Sequence, residues 1–273
     1  MILSLVLVAL LAGFTSSADP VGAGVTITRT APSHWRLDYT FDEPVRGIVF
    51  GPPAVEYRRR AWRVLTPGAA LDTLAGREAV LFDDPTAALS VEVGLYTDYA
   101  PDQYAPFVSF SDGGAAVYLG FFVGAALVDG AERPLDLTME LAGLDGEHVV
   151  EPDAAGAYAY FGPQTPAEVG RARLVLDPDT PAWLHETLDE VVRRATPFFA
   201  DRLGADLPAP PLVLIGAGEV DAFDGFSVKG GALGGQVTFL LRGRDLREPS
   251  AAKRDHAAAH AAISAASTPA YCS

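Results

Sequence analysis

From Val25 to about Asp177 the apolar stretches are too short for independent helices, and each is closed by turn-forming residues. That punctuation confines this part of the chain to a β-rich architecture. His34-Trp35-Arg36-Leu37-Asp38-Tyr39-Thr40-Phe41 alternates cleanly, with Trp35, Leu37, Tyr39 and Phe41 on one face and Arg36 and Asp38 on the other. A period of two predicts a strand buried on one side. Further strands are expected at Val45 to Phe50, Ala61 to Leu65, Glu78 to Phe82, Leu89 to Tyr96, Phe107 to Phe110, Ala115 to Val123, Leu135 to Leu141, Tyr158 to Phe161 and Ala172 to Leu176. Gly51-Pro52-Pro53, Asp83-Asp84-Pro85 and Asp112-Gly113-Gly114 supply the turns between them. The spacing predicts an all-β, β-sandwich-like N-terminal domain over residues 19–177.

The pattern changes at Asp177-Pro178-Asp179-Thr180-Pro181, where Thr180 is a candidate N-cap and Pro181 suits the first helical position. Leu184, Leu188, Val191, Ala195 and Phe198 then recur at three- and four-residue intervals, with Glu186, Asp189, Glu190, Arg193 and Arg194 opposite them. This predicts an amphipathic helix running to Leu203-Gly204. Pro211 to Gly216 reads as a buried strand, and Phe226 to Lys229 and Gln236 to Leu241 as the arms of a hairpin centred on Gly230, Gly231, Gly234 and Gly235. With a last, alanine-rich helix after Pro249, residues 178–273 form a second, α+β unit.

Residues 1–18 carry an apolar run, Ile2 to Phe14, followed by small residues at Ser16 and Ala18. The run is short for a membrane span and predicts a cleaved signal peptide, hence a periplasmic or secreted protein. A net charge of −15 argues against nucleic acid, which would be repelled. The single cysteine, Cys272, excludes an intrachain disulfide.

The chemistry-bearing pair is His256 and His260. Helical residues four apart share a face, so two imidazoles at this spacing can converge on one zinc ion, as in H-E-x-x-H peptidases. The place of the general base, directly after the first histidine, is held by Ala257. Ala261 to Ser273 contains no Asp, Glu or His to serve as a third ligand. The glycines have two readings: a turn, or a strand edge open to a substrate backbone. Tyr96, Tyr99, Tyr104 and Phe107 read as strand packing or as the lining of a groove, and Arg58-Arg59-Arg60 as a solvated turn. Gly225 to Gly230 is not a nucleophile elbow, because Lys229 stands where glycine is required. The glycine cluster leads into a strand, which excludes a dinucleotide loop.

The order of these elements, Thr180-Pro181-Ala182-Trp183 opening the helix, and Ser111-Asp112-Gly113-Gly114 with Tyr118 upstream resemble the glycyl-aminopeptidase-like zinc metallopeptidases of the thermolysin-like (gluzincin) group. The resemblance implies a β domain followed by a partial thermolysin-like catalytic domain. It implies zinc at His256 and His260, and a peptide substrate paired with a sheet edge at Gln236 to Leu241, with Gly230, Gly231, Gly234 and Gly235 permitting its close approach. A second alignment puts the histidine motif later, at Ile263 to Ser267, where no ligand remains. Either way, the expectation is a truncated or degenerate aminopeptidase-like protein without hydrolytic activity, its reading frame disturbed near His260. A partner chain is expected to cover the faces of Leu184 to Phe198 and Val237 to Leu241. The alternative function is a non-catalytic periplasmic module that binds peptide or another envelope ligand.

Overall fold

The computed structural model describes residues 19–51, 57–96, 104–152, 156–170, 172–203, 211–219, 221–233, 235–255 and 257–259. The strands, in chain order, are β1 (Val21–Ala31), β2 (His34–Phe50), β3 (Trp62–Val64), β4 (Ala69–Leu74), β5 (Arg77–Gly94), β6 (Phe107–Ser109), β7 (Ala115–Tyr118) and β8 (Gly124–Val128). They continue as β9 (Ala131–Ala142), β10 (His148–Val150), β11 (Tyr158–Gly162), β12 (Ala167–Val169), β13 (Ala172–Leu176), β14 (Leu212–Glu219), β15 (Ser227–Leu233) and β16 (Gln236–Arg242). Two helices, α1 (Tyr57–Ala61) and α2 (Ala182–Leu203), interrupt them.

The strands form three sheets, ordered β1-β9-β8-β2-β5-β3 with β4 added on β5, β10-β11-β7-β6, and β12-β13-β14-β16-β15. The small sheet is the middle layer. Phe107, Ala115, Val117, Ala159 and Phe161 pack on one side with Trp35, Leu37, Tyr39 and Val91 of the large sheet. Their neighbours Val108, Ala116, Tyr158 and Tyr160 pack on the other side with Val175, Leu212, Leu214 and Leu240 of the five-stranded sheet. Burial on both faces explains why β7 and β11 read as continuous apolar runs. The opposite face of the five-stranded sheet, with Val213, Ile215, Val237, Phe239 and Leu241, is covered by Trp183, Leu184 and Leu188 of α2. On these faces Leu184, Leu188, Val237, Phe239 and Leu241 are buried and Val191 is partly buried.

Two predicted breaks are absent. β2 passes through Asp42-Glu43-Pro44 and β5 through Asp83-Asp84-Pro85 without ending. The two strands pair with each other, and the register shifts between Thr40 and Val45 and again before Gly47, so both bend at the same height. Bulges tolerate proline because no ladder hydrogen bond is required there. β12 and β13 join β14 in the five-stranded sheet, so Ala172 to Leu176, expected in the first unit, pairs with the second.

Arg58 also differs from expectation. It is 1% exposed, donates to Glu78 Oε2 at 2.9 Å and to the Phe121 carbonyl at 2.6 Å, and lies 4.1 Å from the Phe50 ring centroid. Burial lowers its pKa and the Glu78 carboxylate opposes that shift. The short helix α1 turns this one arginine of the three inward, into the aromatic cluster of Phe50, Trp62 and Phe121, while Arg59 and Arg60 stay exposed.

The seam between the middle and five-stranded sheets is fastened by polar groups. Asp177, fully buried at the end of β13, accepts from Ser111 N (2.8 Å), Ser111 Oγ (2.5 Å), Asp179 N (2.9 Å) and Ala217 N (2.7 Å). Gln236 clamps the other end: its Oε1 accepts from Tyr158 N and its Nε2 donates to Tyr158 O, both at 2.7 Å. Between them β14 approaches β6 so closely that a Cβ on Gly216 would lie 2.9 Å from the Ser109 carbonyl oxygen. Glycine at 216 is what permits that contact. Thr180, expected to cap α2, leaves its buried Oγ1 without a hydrogen-bond partner. The Pro181 carbonyl accepts from His185 N at 3.0 Å at the start of the helix.

Candidate functional site

β15 forms the outer edge of the five-stranded sheet. It pairs with β16 from Ser227↔Arg242 to Leu233↔Gln236, and among the described residues no strand lies on its other side. An unpaired edge presents a row of backbone donors and acceptors to any extended chain that meets it. Gly230 and Gly231 lie within this strand, opposite Phe239 and Thr238, and not in the turn where the hairpin reading centred them. Gly235 occupies the turn, at φ +79°, a conformation glycine adopts without strain. Gly234 lies outside the described residues.

Strand alternation divides the side chains of β15. Val228 and Ala232 pack on the α2 side of the sheet. Lys229 and Gly231 fall on the other side, towards the N-terminal sheets. There a Cβ at Gly231 would meet Tyr104 Cε1 at 3.7 Å. Tyr104 is 40% exposed and stacks on Tyr118, with ring centroids 5.0 Å apart and an interplanar angle of 28°. Tyr118 is held by Phe121 at 4.9 Å and Tyr158 at 5.2 Å. Its phenol pKa is raised by burial and by Tyr104, which keeps the hydroxyl neutral. The aromatics named from sequence thus separate: Phe107 is core, Tyr96 packs on Tyr57, Tyr104 faces the edge strand, and Tyr99 lies outside the described residues.

The metal-ligand pair, His256 and His260, also lies outside the described residues. Residues 251–255 and 257–259 around them are helical. Pro249, expected in the first turn, precedes the helix, which begins at Ala251: Ser250 Oγ accepts from Lys253 N at 3.2 Å, which makes Ser250 the cap. Ala257 is 1% exposed and packs into the apolar cluster that holds Trp183, Leu184 and Leu246. Among the described residues there is no group of three or more His, Cys, Asp or Glu side chains placed to hold a metal. His34 pairs through Nδ1 with Ser33 Oγ at 3.0 Å, and His148 through Nε2 with Thr165 Oγ1 at 2.9 Å.

Two site features escaped the sequence reading. Asp177 was legible only as a turn former, because its partners at Ser111 and Ala217 are distant in sequence. Gln236 was legible only as the start of a strand. A polar residue opening an otherwise apolar strand was the one signal that could have marked it.

The fold, layered β-sheets with a helix-backed mixed sheet, has a counterpart among solved structures. It is similar to that of an aminopeptidase N family protein from Idiomarina loihiensis, at a TM-score of 0.52 and 10% identity, over 89% of this chain and 47% of that one. This chain thus spans about half the length of that protein. Looser likenesses are to an M1 zinc metallopeptidase from Deinococcus radiodurans (TM-score 0.35, 14% identity, 89% and 63% of the two chains) and to yeast LTA4 hydrolase in complex with bestatin (0.38, 11%, 89% and 43%). No protein-family model matches the sequence, and no curated protein sequence does. No described helix is long and apolar enough to cross a membrane.

Proposed function

We propose that this chain is an exported, aminopeptidase-like protein that binds peptides along β15 without hydrolysing them. The observation that carries the reading is the open edge of β15, next to an aromatic wall, in a fold similar to that of an aminopeptidase N family protein. An extended peptide added to such an edge gains main-chain hydrogen bonds, and pockets for its alternate side chains set the selectivity. Gly230 and Gly231 leave the strand without side chains that would hold a second backbone away. Gly235 continues this glycine-rich segment into the turn, and Gly234 belongs to the same proposal on the sequence alone.

The absence of hydrolysis is proposed on Ala257. The position that would follow the first zinc histidine carries a methyl group packed into an apolar cluster, where no base can reach a water. His256 and His260 are the residues proposed to hold zinc, in a site that lacks the further ligand a catalytic zinc requires. The second domain, residues 178–273, and the signal peptide, residues 1–18, belong to the same proposal, as does a periplasmic or secreted location.

The test is to incubate the purified protein with short unblocked peptides and zinc, following the peptides by mass spectrometry and the metal by elemental analysis. Intact peptides are expected, with any bound zinc lost in both His256→Ala and His260→Ala. Stepwise loss of N-terminal residues from the peptides would contradict the non-hydrolytic reading.

A further inference from the structure

The loop between β6 and β7 is exposed at Ser111, Asp112 and Gly113, yet a buried charge grips it from either side. On one side stands Arg29 of β1, 1% exposed. Its guanidinium donates to Glu147 Oε1 at 2.5 Å, to the carbonyls of Pro32 and Phe161, and to the Gly113 carbonyl at 2.7 Å. On the other side stands Asp177, whose carboxylate takes the N–H and hydroxyl of Ser111 together with the N–H of Ala217 in β14. The loop between them is itself closed by hydrogen bonds: Phe110 N to Gly114 O at 2.8 Å, Gly113 N to Phe110 O at 3.1 Å, and Asp112 holding Gly114 N at 2.9 Å and Gln164 Nε2 at 2.7 Å. We propose that this loop is a mechanical link that ties Arg29 in the large sheet to Asp177 in the five-stranded sheet, so that the sheets on either side of the middle layer open together.

Each buried charge keeps its partners only while the loop holds its shape. A charge taken out of water needs its hydrogen bonds, and bonds to ionised groups are the strong ones. Among the described residues Arg29 and Asp177 share no hydrogen bond or ion pair; both hold the loop instead. When Asp177 releases Ser111, the Gly113 carbonyl two residues on loses its fixed position over Arg29. When Arg29 is lost, nothing buried holds Gly113, and Ser111 loosens with it. Boundaries between independent units ordinarily fall where few contacts cross. Asp177, where the sequence pattern changes from strands to a helix, is instead fully buried and bonded to both sides. The two units then form one cooperative unit in spite of their different patterns.

The test is a double-mutant cycle on the full chain, read by urea denaturation, with Arg29→Met and Asp177→Asn made singly and together. The unfolding equilibrium constant of the double variant is expected to fall about threefold or more below the product of the two single increases, because the second substitution meets a link already broken. Arg58→Met is the control. Arg58 is equally buried, but its partners, Glu78 and the Phe121 carbonyl, lie off the loop, so its effect should multiply with that of Asp177→Asn. The milder pair Arg29→Lys and Ser111→Ala repeats the cycle, which keeps the measurement available when the harsher double variant does not fold. Amide exchange supplies a second readout: Arg29→Lys should speed exchange in β14 by the same factor as in β1. An Arg29 cycle that is simply multiplicative, an Arg58 cycle that departs as far, or faster exchange in β1 with β14 unchanged overturns the link.

Discussion

Replacing Asp177 with alanine is expected to lower folding stability by about 3–5 kcal/mol, among the larger effects of a single substitution. Its fully buried carboxylate collects donors from three separate segments: Ser111 in the loop between β6 and β7, Asp179 ahead of α2, and Ala217 in β14. Alanine strands the buried backbone N–H of Ala217, where water does not readily replace the lost acceptor, and releases the exposed Ser111 loop from the seam. Ser111→Ala removes one hydroxyl and keeps the backbone bond, so it should cost about 1 kcal/mol. Urea denaturation of the two variants checks the ranking. An Asp177→Ala loss below that of Ser111→Ala would mean that the seam does not depend on this carboxylate.

The second large effect is expected at Arg58. Arg58→Ala leaves Glu78, 12% exposed at its side chain, without its cation and opens a void beneath Phe50 and Trp62. Breaking a buried pair from one side destabilises by about 3–5 kcal/mol, whereas replacing the pair together is often close to neutral. The double variant Arg58→Met, Glu78→Gln should therefore be more stable than Arg58→Ala alone. Thermal melts of the three proteins decide it: a double variant less stable than Arg58→Ala would show that the ion pair itself, and not the unpaired charge left behind, sets the cost.

These two residues mark the limit of what local pattern reveals. Strand alternation at His34 to Phe41 and the helical stripe from Leu184 were legible because each depends on residues close in sequence, and both elements form as expected. The sandwich-like stacking of the large and middle sheets agrees with the all-β expectation. The continuity of β2 and β5 was hidden, since Pro44 and Pro85 look like breaks until the two strands are seen to bend as a pair. Arg58 was misread for a similar reason. Three consecutive arginines look solvated in sequence, and only the aromatic cluster built from Phe50, Trp62 and Phe121 shows which one turns inward.

The site was legible in its location more than in its parts. The edge was expected at Gln236 to Leu241, but that strand, β16, lies between β14 and β15, and the edge is the glycine-bearing β15. Tyr104 could be named only as one aromatic among several, because its approach to Gly231 joins segments far apart in the chain. His256 and His260 were the strongest sequence signal, and they lie outside the described residues.

The central claim is that an extended peptide pairs with the open edge of β15. Amide hydrogen exchange with and without a saturating extended peptide of serine, threonine and valine is the measurement to make, because strand addition covers outward N–H groups whether or not any side chain contributes. Slower exchange confined to residues 227–233, with the strands of the large sheet unchanged, is the predicted result. A peptide that binds while exchange in this segment stays the same, or that protects another sheet edge instead, would contradict the account.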